Sequence, residues 1–451
     1  MFQKEKWKEM VHLALPVVIS KLSFTMMGIV DTAMVGHLGA GPQAAAGFAV
    51  VYLFTLYVFG LGVITSVNTL VSQYVGAKME NKAQAALANG LFLALAIGTL
   101  TWISMVASKP VFHWMGMNPG VCEGGYTYLF YRSFGVLSVF GYWVYNSYFE
   151  GLGKTRIPMY VTLVANVMNM GLDYMFIFGF GPISAMGLKG AGLATAGSNM
   201  FMFAVLVYLA NRGVADGNKL TYRTLGGMIQ LRRAWQMLKL GAPMGAQMFL
   251  EVGAFLVFTT IVGWAGDVEL AATQIAMRIM SVTFMTAWGI SIAATTLVGK
   301  HQGEQRSDLA QSAIHRALLL IGVISIVLCV VMLVGKKSIV GLFTPVPEVS
   351  ATVMHLIVVA SLFAICDGIS MVSYGALRGA GDTVWPLWNV SVMHWAIGIP
   401  MVYIFTISMG MGAFGNWLGM AIMMFGQASF MLFRVKSGKW KNIVLVQKTA
   451  R

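Results

Sequence analysis

Residues 317–334 read ALLLIGVISIVLCVVMLV, eighteen consecutive residues without a charged side chain. A helix needs about 20 mostly apolar residues to cross the hydrocarbon core of a bilayer, so this stretch predicts a membrane span over 314–335. The chain contains eleven further runs of this kind, at 10–35, 45–75, 87–108, 126–150, 157–180, 190–211, 239–264, 270–299, 352–377, 384–408 and 411–434. The sequence lacks the short alternating segments typical of a transmembrane β-barrel, so we expect twelve transmembrane helices.

The overall composition supports a membrane protein and excludes other classes. Apolar residues make up 58% of the 451-residue chain and charged residues 10%, against about 45–50% and about 25% in soluble domains. Such high hydrophobicity excludes intrinsic disorder. The net charge of +14 does not indicate nucleic-acid binding, because the cations lie in short gaps between apolar runs rather than on a water-facing patch. The three cysteines have no metal-ligand spacing, and we expect no disulfide.

The positive charges indicate which way the chain crosses the membrane. With the N-terminus inside, the inner segments hold 23 of the 30 Lys and Arg residues and the outer loops hold four. The remaining three, Lys21, Arg132 and Arg278, lie within spans. Cytoplasmic loops carry an excess of Lys and Arg, so we predict a multi-pass protein of a bacterial inner membrane with both termini cytoplasmic. The first run is too long for a cleaved signal sequence and is expected to stay as an anchor.

An internal repeat divides the chain into two halves with six spans each. Matching residues recur 227 positions apart in one ungapped register, including Pro16 and Pro243, Gly36 and Gly263, and Gly76 and Gly303. The longest polar gap falls between the halves, so we predict an N-terminal six-helix bundle over 1–211, a cytoplasmic linker over 212–238 and a C-terminal six-helix bundle over 239–451. Duplicated halves of this kind are a recurrent transporter plan, with the substrate path between the halves. The repeat therefore favours a transporter that works by alternating access.

Four acidic residues lie well inside predicted spans: Asp31, Asp173, Glu251 and Asp367. An ionisable side chain at this depth is costly and is a functional candidate by default. Glu251 and Asp367 lie near the centres of two spans of the same half, and two such carboxyls could share a proton or a Na⁺ ion. A structural salt bridge with Arg278, also inside a span, is the alternative role.

The neighbours of these two central acids suggest a substrate cavity. Gln247 and Phe255 lie one helical turn before and after Glu251, and Ser370 and Tyr374 continue the face of Asp367 at i+3 and i+7. The chain is rich in Met, Phe, Tyr and Trp, and aromatic faces attract organic cations. A cavity lined by such residues with acids at its floor would suit bulky lipophilic cations.

The remaining acids in or near the spans differ from this central pair in their sequence surroundings. Asp31 has no acidic counterpart in the second half, where its repeat position is Phe258. For Asp173 a structural role is favoured, because Asn169 could satisfy its carboxyl locally. Glu150, at the inner end of the fourth span, is expected to pair at the membrane interface with two cations that follow it closely, Lys154 and Arg156.

Several strings resemble motifs of the multidrug and toxic compound extrusion (MATE) family, in its NorM-like branch. They are VDTAMVG at 30–36, EGLGKT at 150–155, Leu250-Glu251, the region 271–278, LVG at 297–299 and YGALRGAGDT at 374–383. The resemblance covers nearly the whole chain. It implies two pseudo-twofold-related six-helix bundles that form an antiporter rather than an enzyme, exporting cationic drugs in exchange for Na⁺ or H⁺.

The same resemblance implies roles for three of the acids. It assigns cation binding, including Na⁺, to Glu251 and Asp367, and coupling or substrate binding to Asp31, while the role of Arg278 stays open. We expect no cofactor besides the coupling ion, no nucleic-acid partner, contact with membrane lipid, and a monomer.

Two rival functions fit the residues less well. A lipid-linked oligosaccharide flippase of the same superfamily would need several cations in its cavity for an anionic substrate, whereas the spans contain four acids against three cations. An intramembrane aspartyl protease would use a G-x-G-D pattern, which 379–382 matches. In this region the repeat spacing is 228 residues, as Gly153 and Gly381 show, and the equivalent segment of the first half, 151–154, has no acid. Asp382 also falls in an inner loop. Cation export is therefore favoured.

Overall fold

A computed structural model describes residues 2–116, 118–214, 217, 220 and 222–446. Its regular elements are helices, with one isolated β-bridge between Phe180 and Ile183. The α-helices are α1 Phe2–Gly36, α2 Ala40–Gly76, α3 Glu80–Val106, α4 Ser108–Trp114, α5 Pro119–Ser133, α6 Val136–Gly151, α7 Arg156–Asp173, α8 Leu188–Asn211, α9 Tyr222–Gly226, α10 Leu231–Ala265, α11 Asp267–Gly303, α12 Ser307–Val334, α13 Lys336–Gly341, α14 Pro347–Ala380, α15 Val384–Val390, α16 Ile399–Tyr403 and α17 Gly412–Ser437. Wider π-helical turns follow α7, α15 and α16, at Tyr174–Phe178, Ser391–Gly398 and Ile404–Ser408, and a short 3₁₀-helix covers Lys439–Asn442.

The predicted all-α polytopic class is confirmed. In the described part of the chain, eleven helices are long and apolar enough to cross a membrane. The fourth span, 126–150, is expected from the sequence to be one continuous helix. In the structure it is divided into α5 and α6 at Phe134–Gly135. At this break the backbone comes so close to α8 that a Cβ atom on Gly135 would lie 2.6 Å from the Cα atom of Ala196.

The chain forms two compact units. The N unit comprises Ile19–Gly245, and the C unit comprises Met1–Val18 together with Ala246–Arg451. Both unit boundaries fall inside long helices, α1 and α10, so each of these helices contributes its first part to one unit and its second part to the other. The predicted linker 212–238 includes α9 and the start of α10, while its residues 215, 216, 218, 219 and 221 lie outside the described residues.

Each unit is held together by close helix contacts at glycines, and the contacts match across the repeat. In the N unit, a Cβ atom on Gly62 of α2 would lie 2.5 Å from the Cα atom of Gly245 on α10. In the C unit, a Cβ atom on Gly289 of α11 would lie 2.8 Å from the Cα atom of Val18 on α1. Gly62 and Gly289 are one repeat apart, as are Val18 and Gly245. Small residues let backbones approach in this way, so the duplicated sequence encodes a duplicated packing.

The glycine contact in the N unit can be tested by adding one methyl group. Gly62→Ala is expected to lower the melting temperature of the purified protein, because the methyl group meets backbone atoms, and overpacking of this kind costs about 1–3 kcal/mol. Gly47→Ala in the same helix is the matched control, since a Cβ atom there would have no neighbouring atom within 4 Å. Alanine is also the better helix former, so this variant should melt at or above wild type. Equal melting temperatures of the two variants would contradict the packing.

Candidate functional site

The two central acids of the second half come together in the C unit. Glu251 on α10 is half-buried and Asp367 on α14 is buried, 6% exposed. The charge of Glu251 acts directly on Asp367, and the side chain of Gln247, one turn earlier on α10, faces the Glu251 carboxyl. We call these two acids with Gln247 and Arg378 the C cluster.

Arg378, rather than Arg278, is the cation of the C cluster. Its guanidinium acts on Glu251, and its Nη2 donates a hydrogen bond of 2.9 Å to Oε1 of Gln247. Arg278 is exposed and makes no ion pair with any described residue, so the expected partner is replaced. The reason is that α14 continues unbroken to Ala380, which carries Arg378 into the protein interior.

A helical spacing in the sequence could have identified Arg378. It follows Asp367 by eleven residues, or three helical turns, and so lies on the face already marked by Ser370 and Tyr374. The positive-charge distribution instead places Arg378 among the cations of an inner loop, because the apolar run ends at Leu377.

The residues predicted to line the cavity with Gln247, namely Ser370, Tyr374 and Phe255, do not all lie close to the acids. Ser370 and Tyr374 are fully buried, and neither hydroxyl has a hydrogen-bond partner in the described part of the chain. The Tyr374 ring lies below Arg378, with 6.0 Å between the guanidinium carbon and the ring centre. Phe255 packs in an aromatic group with Phe258, Phe363 and His394. Tyr374 therefore lies near both acids, Ser370 follows Asp367 by one helical turn on α14, and Phe255 belongs to an aromatic group in the same unit.

A second acidic group, the N cluster, is formed in the N unit by residues from five helices: Asp31, Tyr57, Tyr128, Arg132, Asp173 and Thr195. The Asp31 and Asp173 carboxyls face each other within hydrogen-bonding reach. Oδ2 of Asp31 accepts a hydrogen bond of 3.3 Å from the Thr195 hydroxyl. Asp173 is fully buried.

The expected local role of Asp173 is corrected by this geometry. The buried side chain of Asn169 makes no hydrogen bond with any described residue, so it does not satisfy the Asp173 carboxyl. Asp173 faces Asp31 instead. Two ionised carboxylates are both acceptors only, so a hydrogen bond between them requires one proton.

The predicted interfacial pairing of Glu150 is also corrected. Glu150 is buried, 5% exposed, and the cation that acts on it is Lys21 on α1. Its Oε1 accepts a hydrogen bond of 2.8 Å from the side-chain amide of Asn146. Lys154 instead donates to the backbone oxygen of Val214 at 2.8 Å. A sequence pattern could not reveal the Lys21–Glu150 contact, because the two residues lie on helices far apart in the chain.

Asp382, the acid of the G-x-G-D pattern, has a structural partner. Its Oδ2 accepts a hydrogen bond of 2.7 Å from Nε of Arg434 on α17. The guanidinium carbon of Arg434 in turn lies 5.0 Å from the centre of the Trp385 ring. This ion pair joins the loop after α14 to the last long helix.

The MatE family model matches the chain twice, over residues 16–175 and 243–404. The two matches begin 227 residues apart, which is the spacing of the internal repeat. The chain is 30% identical over 444 residues to a probable multidrug resistance protein NorM from Bradyrhizobium diazoefficiens, covering 96% of this chain and 93% of the relative. It is 28% identical over 443 residues to the multidrug resistance protein MdtK of Yersinia pestis, covering 95% of each.

Solved structures share the fold at lower sequence identity. A eukaryotic MATE transporter, AtDTX14, superposes with a TM-score of 0.86 at 19% identity over 97% of both chains. An outward-facing multidrug resistance MATE transporter of the MOP superfamily gives 0.88 at 20% identity, over 96% of this chain and 97% of that one. A MOP superfamily transporter from Pyrococcus furiosus, described as having a binding pocket of reverse polarity, gives 0.88 at 19% identity over 96% and 95%.

The attraction between Lys21 and Glu150 predicts a characteristic pattern of stabilities. Removing one of the two charges leaves the other uncompensated, which costs up to about 3–5 kcal/mol where a pair is fully buried and less for the half-buried Lys21, whereas replacing both is often neutral. Lys21→Met and Glu150→Gln should therefore each lower the melting temperature of the purified protein, and the double variant should melt closer to wild type. Strictly additive losses would exclude a direct interaction.

Proposed function

The chain belongs to the MatE family, and from that premise we propose that it is a secondary active multidrug efflux antiporter that exports organic cations in exchange for Na⁺ or H⁺. It is a multi-pass membrane transporter rather than an enzyme. The proposal includes a bacterial inner membrane, both termini in the cytoplasm, a monomer surrounded by lipid, and alternating access between the two compartments. The main support for cation coupling is the C cluster, in which Arg378 acts on Glu251 and Glu251 in turn acts on Asp367, so that two acids stand against one arginine.

The charge balance of the C cluster explains why it would bind a cation. With Glu251 and Asp367 ionised and Arg378 protonated, the cluster carries one net negative charge. Holding an uncompensated charge away from water is costly, so a proton or a Na⁺ ion is bound in compensation. The buried hydroxyls of Tyr374, near both acids, and of Ser370, one turn after Asp367, have no hydrogen-bond partner in the described chain, and hard cations prefer oxygen ligands.

Ion binding at Glu251 and Asp367 would drive export by changing the affinity for the drug. A ligand shifts a conformational equilibrium only by its different affinity for the two states. A bound cation neutralises the acids and weakens their attraction for a cationic drug, which favours drug release to the outside. Release of the ion to the inside restores the negative charge and the affinity for the next drug molecule.

The N cluster supports a second coupling position at Asp31. It too contains two acids and one arginine, so it also has one negative charge to be neutralised. The net negative charge of both clusters disfavours the flippase alternative, since it would repel an anionic lipid-linked oligosaccharide.

The proposed exchange predicts transport against a drug gradient. Purified protein in liposomes should export ethidium, a lipophilic cation, when either a Na⁺ gradient or a pH gradient is imposed in the opposite direction. The gradient that drives export identifies the coupling ion. Liposomes without protein control for leakage, and an absence of export under both gradients would refute the antiporter proposal.

The two acids of the C cluster predict a loss of drug resistance on neutralisation. Cells expressing Glu251→Gln or Asp367→Asn should lose most of their resistance to ethidium at equal protein level, because a permanently neutral side chain cannot alternate between charged and uncharged states. Glu348→Gln is the matched control, as this exposed acid lies in the first turn of the same helix as Asp367. Wild-type resistance in both cluster variants would remove these acids from the mechanism.

A further inference from the structure

Arg132 on α5 lies within electrostatic range of the paired acids of the N cluster, although no ion pair within 4 Å joins it to either acid in the described part of the chain. Its guanidinium acts on both Asp31 and Asp173. Nη1 donates a hydrogen bond to the hydroxyl of Tyr128, and the guanidinium also faces the hydroxyl of Tyr57 on α2. No sequence pattern assigns a role to Arg132, and the mechanism proposed for the C cluster does not use it.

The start of α8 holds the parts of the N cluster in position. A Cβ atom on Gly190 would lie 2.3 Å from the backbone oxygen of Phe176, just after Asp173, so only glycine allows this contact. A Cβ atom on Gly192 would lie 3.1 Å from the backbone nitrogen of Arg132. One turn further on, Thr195 donates to Asp31. The arginine and the two acids are therefore placed by one short segment rather than by mobile side chains alone.

The break between α5 and α6 follows Arg132 by two residues. At this break, a Cβ atom on Gly135 would lie 2.6 Å from the Cα atom of Ala196 on α8, so the two backbones are in close contact. This arrangement anchors the end of α5, and with it the arginine, against the helix that also binds Asp31.

The charges facing the acid pair can be counted helix by helix. In the described part of the chain, the titratable groups are Asp31 from α1, Tyr57 from α2, Tyr128 and Arg132 from α5, and Asp173 from α7, while α8 contributes the neutral Thr195. Arginine stays protonated in proteins. With both carboxyls ionised the cluster carries one negative charge, and a single proton between the carboxyls makes it neutral.

We propose that Arg132 is a positioning residue that restricts the Asp31–Asp173 pair to one exchangeable proton. The proton comes from the aqueous phase and binds to one carboxyl, which then donates a hydrogen bond to the other carboxylate. When the proton leaves, it returns to water. Without the guanidinium the same pair would carry two negative charges and would retain protons to higher pH. The meaning of this inference for transport rests on the proposed antiport, but the titration can be measured without any drug.

The test is a pH titration of the purified protein in lipid by infrared difference spectroscopy, which follows the C=O band of protonated carboxyls. The band of the N cluster is identified as the signal that Asp31→Asn removes. In wild type we expect one proton to be lost in a single step. In Arg132→Gln the midpoint should move to higher pH by about one to three units, because an adjacent arginine favours the ionised carboxyl by that amount, and a second carboxyl should titrate.

Two further variants separate charge from structure. Arg132→Lys keeps the positive charge and should titrate close to wild type. The double variant Arg132→Gln with Asp173→Asn removes one charge of each sign, so a single proton again changes the cluster from one negative charge to none. Its midpoint should move back toward wild type, with one carboxyl titrating. Arg212→Gln, at an exposed arginine that packs on Tyr208, controls for the loss of an arginine elsewhere in the unit.

The outcomes distinguish this inference from the proposed function. An unchanged midpoint in Arg132→Gln, or a double variant shifted as far as the single one, would overturn the role of Arg132. If Arg132→Gln does not fold, the lysine and double variants still decide, because a midpoint that moves to higher pH by about one to three units in either of them would contradict the charge count. Wild-type protein that titrates as expected but exports no ethidium under either gradient would refute the antiporter and leave the assignment of Arg132 intact.

Discussion

The cost of keeping a carboxylate away from water underlies the charged parts of this protein. Among the described residues, each cluster contains two acids that act on each other and one arginine that acts on at least one of them. A guanidinium can compensate one carboxylate, since the attraction between opposite charges is strong where water is excluded. The second acid remains uncompensated unless a proton or another cation binds. The surplus acid in each cluster is the observation on which the proposed ion exchange rests.

The two units share a packing scheme but not a charge pattern. Glycine contacts recur one repeat apart, at Gly62 and Gly289, whereas the repeat counterpart of Asp31 is Phe258. At the inner ends of α6 and α14 the repeat spacing is 228 residues, and there Glu150 and Arg378 occupy equivalent positions with opposite charge. Glu150 faces Lys21 of α1, and Arg378 binds Gln247 of α10 and acts on Glu251. Backbone packing tolerates little change once helices are in contact, while a side chain can change sign if its partner changes with it.

The shared fold therefore does not determine what is transported. Solved transporters at 19–20% identity superpose with TM-scores of 0.86–0.88, and one of them is described as having a binding pocket of reverse polarity. Substrate charge must follow from the side chains placed on the scaffold. In this chain the two clusters each carry a surplus acid, and this is the basis on which export of cations is proposed.

The sequence alone determined the membrane spans, the duplication and the identity of the intramembrane acids, because these depend on hydrophobicity, spacing and residue type within single segments. It also placed Ser370 and Tyr374 on the face of Asp367, since helical periodicity is a local property. Only the tertiary structure decided the partners: Arg378 for Glu251, Asp31 for Asp173, and Lys21 for Glu150. It also divided the fourth predicted span at Phe134–Gly135. Which helices come into contact depends on packing between segments more than a hundred residues apart, and a periodic pattern within one segment contains no information about the neighbour it meets.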